Sequence, residues 1–311
     1  MVPLRWRRAV VAATAATAAA AGACSPLGAT DGAQRAVLVV TETVATVTGA
    51  PPPPVQGGVG APEVRADTPP AAPTAVPPAP SAPIDLSSVV EGVSGTAGIA
   101  VSPVGGGDAQ TAGEWRTGVA WSTIKVPLAV AVARTDPQAL ENAATAITLS
   151  DNQAAEQLWN ALGGGTAAAS AVGAVLVDGG DVTTQVPAVR ARAEYSVFGQ
   201  TRWALTDQAR FGGRLPCVRS AGRVLELMGQ VSPDQRWGLG RIPGARSKGG
   251  WGPGESGGYL VRQFGIVPGA GGDVAVAIAV DAPSFEAGTA DLSTMADALA
   301  PLLPSIPGGA C

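Results

Sequence analysis

The chain has 311 residues, enough for one sizeable domain, and its net charge of −4 provides no basic surface for nucleic acid. It contains no histidine, which excludes catalytic triads, metal sites and acid–base mechanisms built on imidazole. We therefore expect no metal, no cofactor and no nucleic-acid partner, and any enzyme of this composition must take its base from lysine, a carboxylate or tyrosine.

The N-terminus is typical of an export signal. Arginines within the first eight residues precede an apolar run, 9–23, that is too short to span a bilayer. Residues 21–24 read Ala-Gly-Ala-Cys, and small residues before a cysteine resemble the lipobox of bacterial lipoproteins. We predict a signal peptide over 1–23 and a lipidated Cys24 that anchors the protein to the outer face of the cytoplasmic membrane. The alternative is cleavage at an Ala-x-Ala site with Cys24 unmodified.

A linker is predicted to follow the anchor over 24–83. Its second half, 51–83, is rich in Pro, Ala and Gly and lacks an apolar pattern, which is typical of an extended spacer. The run 37–47 is β-branched and typical of a short strand whose partner the sequence does not identify.

Two cysteines remain if Cys24 carries lipid. Cys217 and Cys311 would then lie in a compartment that permits disulfides, and we predict a bridge between them. Two independent thiols are the alternative.

The globular domain is predicted over 84–311. Strands 97–104 and 115–121 are expected to form a hairpin across Gly105–Asp108, and a second hairpin is expected from 258–267 and 273–280. Helical patterns cover 123–134, 137–146, 152–162, 167–177 and 289–303. Strands at both ends and helices between them predict an α+β fold, in which one antiparallel sheet packs against a helical region.

The first chemical motif is Ser122-Thr123-Ile124-Lys125, at the start of a predicted helix. Residues three apart share a helix face, so the Lys125 amine can reach the Ser122 hydroxyl. A neutral lysine can take the serine proton, and both burial and a neighbouring cation favour the neutral form. The helix start also provides backbone N–H groups suited to an oxyanion. We predict a nucleophile and its base.

The second motif is Ser150-Asp151-Asn152, between two predicted helices. The Ser150 hydroxyl suits a proton relay to a leaving group, and the Asn152 amide suits contacts with a substrate carbonyl and Lys125. Asp151 is expected to hold the loop. A plain helix cap is the alternative for the whole tripeptide.

The third motif is Lys248-Gly249-Gly250. Lys248 beside the first lysine would lower its proton affinity and attract a substrate carboxylate. The glycines permit close backbone approach, and the Trp251 N–H can complete an oxyanion hole with that of Ser122. A glycine-rich surface turn is the alternative. The chain has only two lysines, and both lie in these motifs.

The three motifs, in this order, resemble the class A serine β-lactamases and their penicillin-binding relatives. The resemblance covers nearly the whole domain and is carried further by 121–126, 149–155 and 259–266. It implies a five-stranded antiparallel sheet flanked by helices, with the site between sheet and helical subdomain. It also implies a role for each motif residue: Ser122 as nucleophile, Lys125 as base or proton shuttle, Ser150 as proton relay, Asn152 as substrate ligand, and Lys248 and Arg262 as ligands of the substrate carboxylate.

Two positions depart from the family pattern. Gly249 stands where the family usually has a threonine or serine whose hydroxyl contacts the carboxylate. The best candidate for the deacylating glutamate is Glu194, but the following loop lacks the family's asparagine. An ordinary surface carboxylate is the alternative for Glu194.

The sequence therefore supports three functional hypotheses. The first is a monomeric β-lactamase-like serine hydrolase that forms an acyl-enzyme at Ser122 with β-lactams. The second is a peptidoglycan DD-peptidase or penicillin-binding protein acting on stem peptides, which Gly249 and the incomplete glutamate loop favour. The third is a catalytically degenerate lipoprotein that binds a wall ligand or a partner.

Overall fold

The computed structural model describes residues 84–136, 140–255 and 257–311. The predicted signal peptide, Cys24, the linker and the run 37–47 lie outside these residues, as does the start of the helix predicted over 137–146.

A five-stranded antiparallel sheet forms the centre of the described fold, in the order β2-β1-β7-β6-β5. Its strands are β1 (Thr96–Pro103), β2 (Gln110–Gly113), β5 (Arg246–Pro253), β6 (Tyr259–Gly269) and β7 (Gly272–Ala282). The predicted fold class and the second hairpin, β6 with β7, are confirmed.

The sequence of β7 shows why both faces of the sheet are covered. From 274 to 280 it alternates alanine with valine or isoleucine, and successive strand residues point to opposite faces. Ala277 and Ala279 pack with the helical region, whereas Val276 and Ile278 belong to a second apolar cluster with the final helix. The small alanines let helices approach one face closely, and the branched residues fill the other.

Helices cover the two faces of the sheet. Within the described residues they are α1 (Ser87–Val90), α2 (Lys125–Thr135), α3 (Leu140–Thr148), α4 (Asn152–Ala161), α5 (Gly165–Asp178), α6 (Leu205–Arg214), α7 (Gly222–Met228) and α8 (Phe285–Leu299). Every residue of α2 from 125 to 133 is buried, and α2 contacts α3, α4 and α5. A helix that is apolar around its whole circumference belongs in a core, so Lys125, at its first position, is buried as well.

The prediction of the second strand in the first hairpin is wrong. β1 pairs with β2, whereas the stretch predicted as a strand over 115–121 forms only β3 (Thr117–Val119), which pairs with β4 (Arg202–Ala204) in a separate two-stranded sheet. The chain leaves the main sheet at Gly113, whose φ is +88°. The next two N–H groups, of Glu114 and Trp115, both donate to the Ala97 carbonyl.

The final helix begins four residues before its predicted start of 289. The Ser284 hydroxyl accepts a hydrogen bond from the Ala287 N–H at 3.2 Å and so caps α8. Helices α6 and α7 were not predicted at all.

No single helix among the described residues is long and apolar enough to cross a membrane. α4 and α5 pass that test only as a pair, by length and composition, and they are bent by 98° where they meet.

A disulfide joins Cys217 and Cys311 and confirms the predicted pairing, with a Cα–Cα distance of 5.4 Å. The C-terminal segment is also held by backbone hydrogen bonds in both directions between Gly309 and Asp273 of β7. The chain end is therefore fixed to the sheet.

Replacing both cysteines by serine should lower the free energy of unfolding by about 4 kcal/mol, because the bridge closes a loop with a sequence separation of 94 residues. Denaturant unfolding of the variant and of the oxidised parent measures this. Reduction of the parent should reproduce the loss, and a difference below about 1 kcal/mol would contradict the prediction.

Candidate active site

The turn that carries Ser122 is a strained 3-10 turn, Trp121–Ile124, that runs directly into α2. Trp121 has a φ of +49°, a left-handed conformation that is costly for a bulky residue. The Thr123 hydroxyl donates to the Ala120 carbonyl at 2.6 Å and closes the turn. Backbone strain held by its surroundings is common at functional sites. Ser122 itself is partly exposed at the N-terminal end of α2.

Two glycines of β5 hold this turn against the sheet. A Cβ atom at Gly250 would lie 2.8 Å from both the Ala120 carbonyl oxygen and the Ser122 backbone nitrogen. A Cβ atom at Gly252 would lie 2.6 Å from the Trp121 ring. Glycine at both positions permits the close approach, so the third motif lies against the first.

Lys125 has no solvent-exposed surface. Its Nζ donates to the Ser150 carbonyl at 2.6 Å and to Asn152 Oδ1 at 2.8 Å. Burial lowers the pKa of Lys125 to about 7, while the negative charges of Asp151 and Glu156 act in the opposite direction. A neutral amine keeps two N–H donors for these acceptors and one lone pair that can accept a proton.

The second motif forms the loop before α4. Ser150 has a φ of +58°, and its carbonyl and hydroxyl oxygens accept hydrogen bonds from two different lysines. The Asp151 carboxylate accepts from the Ala154 N–H at 2.6 Å and caps α4, as expected for a residue that holds the loop. The same tripeptide therefore caps α4 and provides hydrogen-bond acceptors for both lysines.

Lys248 completes the hydrogen-bonded chain from β5. Its Nζ donates to Ser150 Oγ at 2.8 Å and to the Gly249 carbonyl at 3.0 Å, and the side chain has no exposed surface. Burial, and then the nearby charge of Lys125, lower the pKa of Lys248 well below its ordinary value. Within the described part of the chain, no carboxylate lies within 4.0 Å of either ammonium group.

A cleft of about 370 Å³ opens beside Ser122. Asn152, Glu194 and Trp251, all predicted as site residues, also line it. A larger cavity of about 560 Å³ lies near Asp207 and contains none of the motif residues, so the smaller cleft is the candidate site.

Glu194 lies at the rim of this cleft. Its side chain is 60% exposed and forms an ion pair with Arg192 at 3.6 Å. The Arg192 guanidinium also lies over the Tyr195 ring, 4.2 Å from its centroid. Gln200 fastens the same loop by accepting hydrogen bonds from the Ala191 and Arg192 N–H groups.

The prediction that Arg262 binds a substrate carboxylate is wrong in this structure. The guanidinium has no exposed surface and donates to the carbonyls of Gly118, Val119 and Trp203 and to Gln208 Oε1. Burial lowers the pKa of Arg262 to about 9. Its partners are the backbone of β3 and β4, so Arg262 joins the small sheet to the large one.

Trp237 explains why glycine stands at 249. A Cβ atom at Gly249 would lie 2.7 Å and 2.9 Å from two atoms of the Trp237 ring. Trp237 comes from a segment outside the three motifs, and no sequence signal linked it to the site.

Glu156 is a second cleft carboxylate, and it lies outside the three sequence motifs. It lies on α4 one turn after Asn152, which is a signal that helical spacing could have provided. It forms an ion pair with Arg190 at 3.2 Å, and its charge acts on Lys125.

Comparison with known proteins shows the fold. No protein-family model matches the sequence, and no curated protein is significantly similar to it. Among solved structures, a β-lactamase from Sphaerobacter thermophilus is 20% identical, with a TM-score of 0.55 over 72% of this chain and 100% of that one. The ancestral (GNCA) class A β-lactamase is 20% identical, with a TM-score of 0.52 over 69% and 98% of the two chains. An acyl-enzyme complex of a PBP-A variant with penicillin G is 21% identical, with a TM-score of 0.54 over 71% and 96%.

Gly250→Ala should slow the labelling of Ser122 by an activated ester at least tenfold, because the new methyl group forces the nucleophile turn away from β5. The labelling rate is measured by intact-protein mass. Gly173→Ala in α5 is the matched control, since a Cβ atom there meets nothing within 4 Å. Equal labelling rates in the two variants would contradict the prediction.

The labelling rate should rise with pH through a midpoint near 7 and then level off, because only neutral Lys125 can accept the serine proton. Glu156→Gln should move the midpoint to lower pH, since its charge favours the protonated lysine. Glu194→Gln, which also breaks an ion pair with an arginine, should leave the midpoint in place. A midpoint near 10 in the parent, or equal shifts in both variants, would contradict the assignment.

Proposed function

We propose that the chain is a serine hydrolase that works through an acyl-enzyme at Ser122, in the manner of β-lactamases and penicillin-binding proteins. The observation that carries the proposal is the hydrogen-bonded chain from Asn152 through Lys125 and Ser150 to Lys248. It joins three motifs that are far apart in sequence beside one partly exposed serine.

In the acylation step, the Ser122 oxygen attacks a substrate carbonyl carbon while its proton passes to neutral Lys125. Both N–H donors of that amine are already held by Ser150 and Asn152, so its lone pair is the part left free. A pKa of about 7 lets a large fraction of the amine be neutral at physiological pH.

Ser150 is the proposed relay to the leaving group. Its hydroxyl oxygen accepts a hydrogen bond from Lys248, so the hydroxyl hydrogen of Ser150 remains available to donate to another group. When the bond to the leaving group breaks, that proton passes to the departing atom, and the proton that Lys125 took from Ser122 replaces it on Ser150, directly or through a water molecule.

The oxyanion is proposed to form between the Ser122 N–H and the Trp251 N–H. Gly250 supports this role because it brings β5 into contact with the nucleophile turn, with its Cβ position 2.8 Å from the Ser122 nitrogen. Trp251 follows directly on the same strand.

Deacylation is proposed to use Glu194 as the base for water. It lines the same cleft as Ser122, but it is largely exposed and is paired with Arg192. This setting favours slow release of the acyl group. A slow step agrees with penicillin-binding behaviour better than with efficient β-lactam hydrolysis.

β-Lactams are the proposed probe class, because a PBP-A variant of similar fold holds penicillin G as an acyl-enzyme. Incubation with a labelled penicillin should add one acyl group to the Ser122 peptide and none to Ser122→Ala. The absence of both an adduct and turnover, with penicillin and with an activated ester that carries no carboxylate, would contradict the proposal.

Glu194→Gln should lengthen the lifetime of that adduct about tenfold or more, because a general base typically contributes 10²- to 10⁴-fold and this one is exposed. Glu156→Gln is the matched control, and the adduct is followed by mass after excess penicillin is removed. An unchanged lifetime in Glu194→Gln would remove Glu194 from the mechanism.

Export and anchoring by a lipid on Cys24, with a spacer over 24–83, remain part of the proposal. They rest on the N-terminal sequence alone. Cys24→Ala should release the protein from bacterial membranes into the soluble fraction, and retention of that variant in the membrane would contradict lipidation.

A further inference from the structure

The two cations expected to bind a substrate carboxylate are not available to a ligand in the cleft. Lys248 has no exposed surface and uses its ammonium on Ser150 and Gly249. Arg262 also has no exposed surface, and its two terminal nitrogens donate to four acceptors. A carboxylate oxygen is no smaller than a water molecule, so it cannot touch either cation in this conformation.

Position 249, next to Lys248, cannot supply a hydroxyl in place of these cations. The Trp237 ring occupies the space that a side chain at 249 would need. The ring is in edge contact with Trp251 and Phe285, with centroids 6.0 and 6.2 Å away. A cluster of aromatic rings therefore occupies the place that a hydroxyl group at position 249 would take.

Among the residues that the structure describes, the charged side chains at the cleft offer no unpaired cation to an anion. Two carboxylates, Glu156 and Glu194, line the cleft, and each is paired with an arginine, Arg190 and Arg192 respectively. An incoming carboxylate would therefore have to compete with a carboxylate of the protein for either guanidinium.

Aromatic rings form part of the cleft wall, beside its polar side chains. Trp121 and Tyr195 lie edge to face on one side, with centroids 4.9 Å apart, and Trp251 and Tyr259 come from β5 and β6. The chain has only two tyrosines, and both line this cleft. Flat aromatic walls suit planar or ring-shaped apolar groups.

We infer that the Ser122 site acts on uncharged acyl donors, namely esters or amides with an aromatic or similar ring and no carboxylate beside the leaving group. This rests on the proposed acyl-enzyme function. For an ester, the bond from Ser122 Oγ to the carbonyl carbon forms and the bond from that carbon to the leaving oxygen breaks. The serine proton reaches the leaving oxygen through Lys125 and Ser150. Water then releases the acid and restores the serine.

The test is a matched pair of phenylacetylglycine esters, one of 3-hydroxybenzamide and one of 3-hydroxybenzoic acid, given to the full chain. Each kcat/KM is divided by the rate constant for hydroxide hydrolysis of the same ester. The uncharged ester should react at least tenfold faster. Equal rates, or a faster reaction of the 3-hydroxybenzoic acid ester, would overturn the inference but would not contradict the acyl-enzyme proposal.

Failure of the proposed function gives a different result. If neither ester is hydrolysed and neither labels Ser122 in a chain that unfolds cooperatively, the acyl-enzyme proposal itself is wrong. Labelling that persists in Ser122→Ala would likewise show reaction elsewhere.

The variant pair tests the physical cause. Trp237→Ala combined with Gly249→Thr makes room for a hydroxyl and should shrink the preference for the uncharged ester at least fivefold. Trp237→Phe keeps a ring in place and should retain the preference. If the double variant does not fold, the comparison of esters on the parent chain decides alone; if it folds with an unchanged preference, Trp237 is not the cause.

Discussion

Lys125 and Lys248 are both fully buried and both donate hydrogen bonds to Ser150, and the rest of the site depends on these contacts. Lys125 holds the Ser150 carbonyl and Lys248 holds the Ser150 hydroxyl, with no carboxylate within 4.0 Å of either ammonium among the described residues. Two buried positive charges at this spacing repel each other, and both pay for lost hydration. Burial lowers the pKa of both amines, and a neutral Lys125 is the form that can take a proton from Ser122.

Keeping the lysines together requires three separate elements to meet closely, and the backbone shows how this is done. Trp121 and Ser150 both adopt left-handed φ values, each costing on the order of 1–3 kcal/mol. Gly250 and Gly252 let β5 touch the turn Trp121–Ile124 without a clash. The surrounding core, packed on the alanine face of β7 and around α2, offsets these local costs. The geometry of the candidate site is thus fixed by close packing more than by flexible side chains.

Much of this arrangement could be predicted from sequence. Lys125 lies three residues after Ser122, which is a matter of local spacing. The β6–β7 hairpin follows from two β-rich runs separated by a short turn, and the disulfide from the two cysteines left in the domain. The features that could not be predicted are contacts between distant segments. The turn at Gly113 takes the chain out of the main sheet, so that β3 pairs with β4. Arg262 is buried because β3 and β4 present carbonyl groups to it. Position 249 has no hydroxyl because a tryptophan from a different segment occupies the space.

Direct titration of the two lysines tests the account most sharply. A chain with only two lysines gives two signals when the lysine ε-carbons are labelled with ¹³C, and a Lys248→Arg variant assigns them. We expect the Lys125 signal to titrate with a midpoint near 7 in the folded protein. Two signals that both titrate near the ordinary lysine value of about 10.4 would contradict it, because neither amine would then be a base at neutral pH.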